Sequence, residues 1–124
     1  MKKVTNFRDL EVYKLCRQLA KEIFELSKKF PKEETYSLTD QMRRASRSVG
    51  GQIAEAWGKR RYEKHFISKL TDGCGEQLET AHWIDTAYEC NYISKPVAED
   101  LLNRYESVGS MLASMIDKSS WFCL

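Results

Sequence analysis

The sequence predicts an all-α fold, an antiparallel up-down-up-down four-helix bundle. Apolar residues recur at steps of three and four along nearly the whole chain, which is the spacing of an amphipathic helix. No segment alternates with a period of two, and two prolines and six glycines among 124 residues are too few for a turn-rich β fold. We expect one domain, residues 1–124, with helices over roughly 7–29, 38–57, 62–91 and 95–118 joined by short connections.

The first predicted helix has a regular apolar stripe with the a/d spacing of a bundle seam, formed by Val12, Cys16, Leu19, Ile23, Leu26 and Phe30. Asn6 is the predicted N-cap, with Asp9 three residues later. Pro31 ends the helix, because the residue before a proline is pushed out of the α conformation.

The second predicted helix combines an apolar face with many small residues. Ser37 is the predicted N-cap, and the predicted inner face contains Leu38, Met42, Ala45, Val49, Ile53 and Ala56. Gly50 and Gly51 each cost about 1 kcal/mol relative to alanine inside a helix, so close packing or a kink is expected there. Gly58 is a natural helix end.

The third predicted helix is about 45 Å long unless Gly73 and Gly75 bend it. Its predicted inward residues are Phe66, Leu70, Cys74, Leu78, Ala81, Ile84 and Tyr88. Ser94 and Pro96 open the fourth helix, because serine caps a helix and proline is tolerated in its first turn. The predicted seam of this helix is Leu101, Tyr105, Val108, Leu112 and Met115.

Large aromatic residues are more numerous than a four-helix core of this size readily hides. We therefore predict a subunit interface that contains Trp57, Trp83, Trp121 and Phe122, since tryptophan and tyrosine are enriched at such contacts. The apolar segment 121–124 is expected to dock either on its own bundle or on a sister subunit.

Composition predicts the cellular location and the redox state of the cysteines. No apolar stretch is long enough to span a membrane, and the basic amino end lacks the apolar core of a secretory signal, so we expect a cytoplasmic protein without membrane contact. The four cysteines lie far apart and form no C-x-x-C pair, which predicts reduced core residues.

Charge is distributed unevenly although the net charge is only +2. Residues 43–69 hold eight Lys or Arg against two Asp or Glu, whereas residues 70–124 hold three against nine. The candidate nucleic-acid-binding residues are Arg43, Arg44, Arg47, Lys59, Arg60, Arg61 and Lys64. Such cations are either solvated helix ends or contacts to phosphates that read no bases.

Lys59, Arg60 and Arg61 lie between the end of one helix and the start of the next, where cations and free N–H groups together can hold a phosphate. Glu55, in an apolar stretch, is either outward-facing or buried and paired with an arginine such as Arg44 or Arg47.

The acidic second half supports a different interpretation. Glu76, Glu79, Asp85 and Glu89 are candidates for contact with a basic partner or with the basic face of the next subunit. A protein-docking scaffold is therefore an alternative to nucleic-acid binding.

Motifs for catalysis are weak. Glu79 and His82 form one Glu-x-x-His pair, but a di-metal bundle needs that pair twice, and His65 has no glutamate three residues before it. A helix surface or subunit contact is the simpler role for Glu79 and His82. The sequence contains no nucleophile elbow or phosphate-cradling loop, so we predict no enzyme, no metal and no cofactor.

Several short motifs occur together in order: the segments 7–13, 30–34 and 36–45, Ser48-Val49-Gly50-Gly51-Gln52-Ile53-Ala54-Glu55-Ala56, and later Asn91-Tyr92-Ile93 and Met111-Leu112. With them the chain resembles the small bacterial four-helix-bundle proteins encoded in 23S rRNA intervening sequences. Gln52 and Ala56 stand where that family usually has Asn and Gly.

The resemblance implies a homopentameric ring with no known catalytic activity. It also implies kinship with the accessory variability determinants of diversity-generating retroelements, which bind nucleic acid and a reverse transcriptase. Together these observations predict a non-enzymatic, ring-forming protein that binds RNA through its basic residues. The alternatives are a docking scaffold or accessory subunit, for example of a reverse transcriptase, and a metal-dependent bundle enzyme.

Overall fold

Four long helices form the protein in the computed structural model, which describes residues 3–124. The helices are α1 (Glu11–Ser27), α2 (Leu38–Gly58), α3 (Glu63–Glu89) and α4 (Lys95–Asp117), followed by the short α5 (Ser119–Phe122). Each long helix packs on its two neighbours, α1 on α2, α2 on α3, α3 on α4 and α4 on α1, so the bundle closes on itself. The predicted all-α bundle is confirmed, with no strand in residues 3–124. The single domain of 1–124 stays a prediction, and its first two residues lie outside the described part of the chain.

The start of α1 differs from the prediction. Residues Phe7–Asp9 form a separate 3-10 turn, and the Asn6 side chain accepts a hydrogen bond from the Arg8 N–H at 2.9 Å. Leu10 is extended, with φ −65° and ψ 128°, so the α-helix begins only at Glu11. Asn6 therefore caps the 3-10 turn rather than the helix.

A glutamate side chain takes the role predicted for Ser37 at the start of α2. Oε1 of Glu34 accepts hydrogen bonds from Ser37 Oγ at 2.7 Å and from the Leu38 N–H at 3.3 Å, while Ser37 itself makes no cap. The Tyr92 hydroxyl donates to Oε2 of Glu34 at 2.9 Å. Hydrogen bonds from Ser37 and Tyr92 lower the pKa of Glu34, and the same carboxylate raises the pKa of Tyr92 to about 12.

The predicted seams of three helices are buried in the structure. On α2 and α4 every predicted inward residue is buried, and on α1 only Leu26 is partly exposed. Ser94 caps α4 as predicted, since its Oγ accepts from the Val97 N–H at 3.4 Å. Burial of these apolar side chains supplies the main driving force for the fold.

The predicted inner face of α3 is partly wrong. Leu78 is 64% exposed and Tyr88 is 42% exposed, while Cys74 and Ala81 are only half-buried. The buried stripe is instead Phe66, Leu70, Gly73, Gln77, Thr80, Ile84 and Ala87.

Gly109 of α4 makes room for Gln77 in the buried stripe of α3. A Cβ added at Gly109 would lie 3.0 Å from Oε1 of Gln77, whereas a Cβ at Gly73 would make only ordinary contacts of 3.6 Å to Gln52 and Leu112. The helix remains continuous through Gly73 and Gly75, so neither glycine ends it.

The cysteines follow the prediction only in part. All four are free, but Cys16 alone is buried, and Cys90 is exposed. Burial raises the pKa of the Cys16 thiol to about 12, which keeps it protonated and unreactive. No helix within residues 3–124 has both the length and the apolar character needed to cross a lipid bilayer.

Candidate nucleic-acid interface

A groove of about 670 Å³ between α1 and α2 carries a concentration of positive charge. We call it the α1–α2 groove and define it by its lining residues Arg8, Tyr13, Lys14, Arg17, Gln18, Ala20, Lys21, Phe24 and Arg47. Five of these nine side chains are Lys or Arg, and none is Asp or Glu. The lining therefore has the charge that attracts a polyanion.

Most of these cations have no acidic partner in the part of the chain that the structure describes. Across residues 3–124, no carboxylate lies within 4.0 Å of Arg8, Arg17, Lys21 or Arg47. Lys14 does have a partner, Glu11 at 3.4 Å, one turn away on the same exposed surface. Such a pair is weak in water, so its charge is still available to a ligand.

Phe24 on α1 holds two arginines of α2 beside the groove. The guanidinium of Arg43 lies 4.6 Å from the ring centroid and that of Arg47 lies 5.4 Å from it. Nε of Arg43 also donates a hydrogen bond to Ser27 Oγ at 2.7 Å. A cation over an aromatic ring is stabilised by about 0.5–1 kcal/mol at exposed sites, so the ring orders both side chains in advance of binding.

Small residues form the floor next to these cations. A smaller cavity of about 180 Å³ is lined by Gly50, Gly51, Ala20 and Ala54 among others. A Cβ at Gly50 would make an ordinary contact with the Tyr13 ring at 3.7 Å, so Gly50 packs against α1. A Cβ at Gly51 would meet nothing within 4 Å, which leaves the floor open to solvent.

Arg44 lines a shallow cavity of about 580 Å³ with Arg43 and Arg47, as the sequence grouping suggests, but its guanidinium reaches toward α3. It pairs with Glu79 and, at 3.6 Å, with Glu76, both on α3. Its pKa is raised mainly by the hydrogen bond to Glu79. The pKa of Glu79 is lowered by the hydrogen bond from the Trp83 indole N–H at 3.0 Å and by Arg44. The charge of Arg44 is thus compensated within the bundle.

Of the two alternatives for Glu55, the structure shows the outward-facing side chain and not the buried pairing with an arginine. The Glu55 side chain is 58% exposed, and its carboxylate lies 3.4 Å from Nζ of Lys69 on α3. Glu55 follows an apolar stretch in sequence, but at that position α2 turns its side chain to solvent.

The cations at the α2–α3 connection form a separate group. Arg60 stacks on Trp57 with its guanidinium 3.7 Å from the ring centroid, and its Nε donates to the Trp57 carbonyl at 2.9 Å. Lys59, Arg61 and Lys64 are exposed. The first residue of α3 is Glu63, whose carboxylate accepts a hydrogen bond from Ser119. That negative charge disfavours the phosphate predicted at this helix start.

Of the seven predicted residues, only Arg47 lines the groove, and Arg43 lies beside it over Phe24. Arg44 is paired with α3, and the other four lie at the α2–α3 connection. Sequence reasoning missed Arg8, Lys14, Arg17 and Lys21. The signal for three of them was present, since Lys14, Arg17 and Lys21 follow one another at steps of three and four, which puts them on one face of α1.

Glu79 and His82 have other contacts in the structure. The Glu79 carboxylate accepts from Arg44 and Trp83, and the exposed His82 ring lies edge-on to Trp83 at 4.7 Å. In the part of the chain that the structure describes, no three His, Cys, Asp or Glu side chains converge on a metal position.

The predicted interface aromatics are half-buried against their own bundle. Trp57, Trp83 and Phe122 pack on the hydrophobic core, and the Phe122 ring stacks on Phe66 at 6.1 Å. Trp121 lies edge-on to Phe122 at 5.0 Å. Their place at a subunit interface stays a prediction.

The protein is a closed four-helix bundle with a cationic groove on one side. It is therefore a helical-bundle protein whose candidate site is a charged surface groove. The chain belongs to the 23S rRNA-intervening sequence protein family, which it matches over residues 8–114. The resemblance seen in the sequence motifs is thereby confirmed.

A solved structure supports the same relationship. The chain is similar to a protein of unknown function from the S23 ribosomal protein family of Bacteroides thetaiotaomicron VPI-5482, with 26% sequence identity and a TM-score of 0.77. The similarity covers 86% of this chain and 95% of that one. No curated protein matches the sequence.

Proposed function

We propose that this protein is a non-enzymatic RNA-binding protein that holds the phosphate backbone in the α1–α2 groove. The observation that carries the proposal is the groove lining, which contains five cations and no carboxylate. Phosphate contacts supply affinity without sequence information, because they are the same for every base. The expected ligand is therefore RNA of any sequence.

The test is the salt dependence of RNA binding. We expect affinity to fall steeply between about 50 and 200 mM salt, because each neutralised phosphate releases counterions. The double variant Arg17→Gln, Arg47→Gln removes two groove cations that have no acidic partner, and its log–log salt slope is expected to be smaller by about two.

The matched control removes two cations from the other side of the bundle, Lys95 and Lys118, both exposed and replaced by glutamine. It changes the net charge equally, so an equal loss of affinity in both double variants would show a non-specific charge effect and contradict the groove. The triple variant of Lys59, Arg60 and Arg61 to alanine tests the second basic group, and an unchanged slope would remove it from the footprint.

We further propose that the protein assembles with copies of itself, as a ring of five if the family resemblance extends to assembly. The supporting observation is an apolar stripe at helical spacing on α3, Cys74, Leu78, Ala81 and Tyr88, which is not buried within the bundle: Leu78 is 64% exposed and Tyr88 is 42% exposed. Contiguous apolar patches that stay in water mark protein contacts.

Light scattering tests self-association. Leu78→Glu is expected to lower the mass of the assembly, because a charge would have to be buried at the contact. Tyr36→Glu, at a tyrosine that is 92% exposed in the loop before α2, is the matched control and is expected to leave the mass unchanged. A wild-type protein of monomer mass would contradict self-association.

A protein partner is the competing outcome. The exposed Asp85 and Glu89 are available to a basic partner, whereas Glu76 and Glu79 are already paired with Arg44. Capture of a protein that persists after nuclease treatment, without binding of purified RNA, would favour a docking scaffold over the proposed function.

A further inference from the structure

The aromatic rings of the α1–α2 groove are not free to stack on nucleobases. Lys28, Arg43 and Arg47 lie over Phe24 with their charged groups 4.7, 4.6 and 5.4 Å from its centroid. Tyr13 is half-buried and packs edge-on against a phenylalanine ring at 5.0 Å. Stacking on aromatic side chains contributes about 1–3 kcal/mol per base in proteins that bind single strands. The groove lacks that contribution.

The cations of the groove are spread along stiff elements. Lys14, Arg17 and Lys21 follow α1 at successive rises of about 4.5 and 6 Å, and Arg47 lies on the opposite wall with Arg43 one turn away. Fixed charges in a row suit a ligand whose phosphates are already ordered. A flexible strand loses conformational freedom on such a surface and gains no stacking in return.

The charge density of nucleic acids also favours a duplex as the ligand. A duplex carries one negative charge per about 1.7 Å of its axis, whereas each of its strands carries one per about 3.4 Å. More phosphates of a duplex therefore lie within reach of the groove cations at once.

We infer that the α1–α2 groove binds the sugar–phosphate backbone of a double-stranded nucleic acid in preference to a single strand, and that it reads no bases. This inference rests on the proposed function, and it adds the form of nucleic acid that the groove accepts.

Two exposed tyrosines are an alternative site, on which the bases of a single strand could stack. Tyr36, in the loop before α2, is 92% exposed, and Tyr62, in the loop before α3, is 60% exposed. Neither lines the groove, but a single strand that crosses the protein outside the groove could stack on them. Replacing both by alanine removes this stacking surface without changing a charge.

The experiment compares one labelled RNA as a duplex and as its two separate unstructured strands, by fluorescence anisotropy at a series of salt concentrations. We expect the duplex to bind about tenfold more tightly than either strand at the same ionic strength. The double variant Tyr36→Ala, Tyr62→Ala is expected to leave both affinities unchanged. Ala20→Leu is expected to weaken duplex binding, because Ala20 lines the groove and a longer side chain there takes up space that the backbone of the ligand needs.

The outcomes separate the two claims. Equal or tighter binding of the single strands, or loss of binding in the tyrosine variant, would overturn the duplex preference while leaving the RNA-binding proposal standing. Unchanged duplex binding in a folded Ala20→Leu protein would show that the ligand does not lie in the groove. Absence of binding to both RNA forms would contradict the proposed function itself.

Discussion

Neighbouring arginines of α2 differ in whether they are paired with a carboxylate. On the α1 side, Arg43 and Arg47 lie over Phe24 and meet no carboxylate within residues 3–124. On the α3 side, Arg44 is paired with two glutamates. Arg43, Arg44 and Arg47 line one shallow cavity of about 580 Å³ on the outside of α2, but successive residues of a helix point about 100° apart, so Arg43 reaches toward α1 and Arg44 toward α3. Charge that is unpaired is available to a ligand, and charge that is paired stabilises the bundle.

The orientation of α3 places its glutamates opposite Arg44, and a pair of leucine variants tests that orientation. Leu70→Ala, at a fully buried position, is expected to cost about 2–5 kcal/mol in the free energy of unfolding, because it leaves a cavity. Leu78→Ala is expected to cost less than about 0.5 kcal/mol, because its side chain is already exposed. Chemical denaturation measures both. Similar losses would show that α3 is rotated toward the face predicted from sequence.

The contrast between paired and unpaired arginines predicts opposite effects for Arg44 and Arg47. Arg44→Gln is expected to lower the free energy of unfolding by about 1 kcal/mol, since it leaves two glutamates without their partner, and to change RNA affinity little. Arg47→Gln is expected to weaken RNA binding and leave stability within about 0.5 kcal/mol. Thermal unfolding and anisotropy on the same samples give both quantities. A stability loss confined to Arg47→Gln would reverse the assignment of the two surfaces.

A second paired region, between α1 and α4, predicts how stability depends on pH. Arg104 donates two hydrogen bonds of 2.6 Å to the Glu22 carboxylate, and these lower the pKa of Glu22. A carboxylate with a lowered folded-state pKa stabilises the protein above its unfolded value of about 4.3, and this stabilisation is lost as the pH falls through the folded-state pKa. Unfolding free energy is therefore expected to be steady above about pH 5 and to fall below about pH 4.

Glu22→Gln is expected to lose about 0.5–1 kcal/mol at neutral pH and to show a shallower acid decline than the wild type. Glu99→Gln, at an exposed glutamate of α4, is the matched control. Parallel acid declines in wild type and Glu22→Gln would show that the Arg104 contact contributes nothing to the pH dependence.

The sequence was informative where hydrophobicity alone decides which face of a helix is buried. The stripes of α1, α2 and α4 consist of large apolar residues at regular steps, and these are the buried faces in the structure. On α3 the buried stripe contains Gly73, Gln77 and Thr80, which a hydrophobic pattern does not mark. Gln77 is accommodated opposite Gly109 of α4, where a Cβ would lie 3.0 Å from its Oε1, and that contact exists only in the assembled bundle.

The candidate site was harder to predict for a related reason. Counting charges along the chain grouped Arg43, Arg44 and Lys59 as one patch, but a surface is formed by residues from different helices. The α1–α2 groove joins Arg17 and Arg47, which are far apart in sequence. The spacing of Lys14, Arg17 and Lys21 was visible, whereas their position opposite α2 depends on which helices are neighbours.

The C-terminal segment has a practical consequence for experiments. The Leu124 N–H donates to the Arg60 carbonyl at 3.1 Å, and Nζ of Lys3 lies 5.4 Å from the centroid of the Trp121 ring. Both ends of the described chain therefore meet near the α2–α3 connection. An affinity tag or surface tether fused near Lys3 or Leu124 would leave the molecule at this end of the bundle. The sides of the long helices would then remain exposed to solvent in immobilised protein.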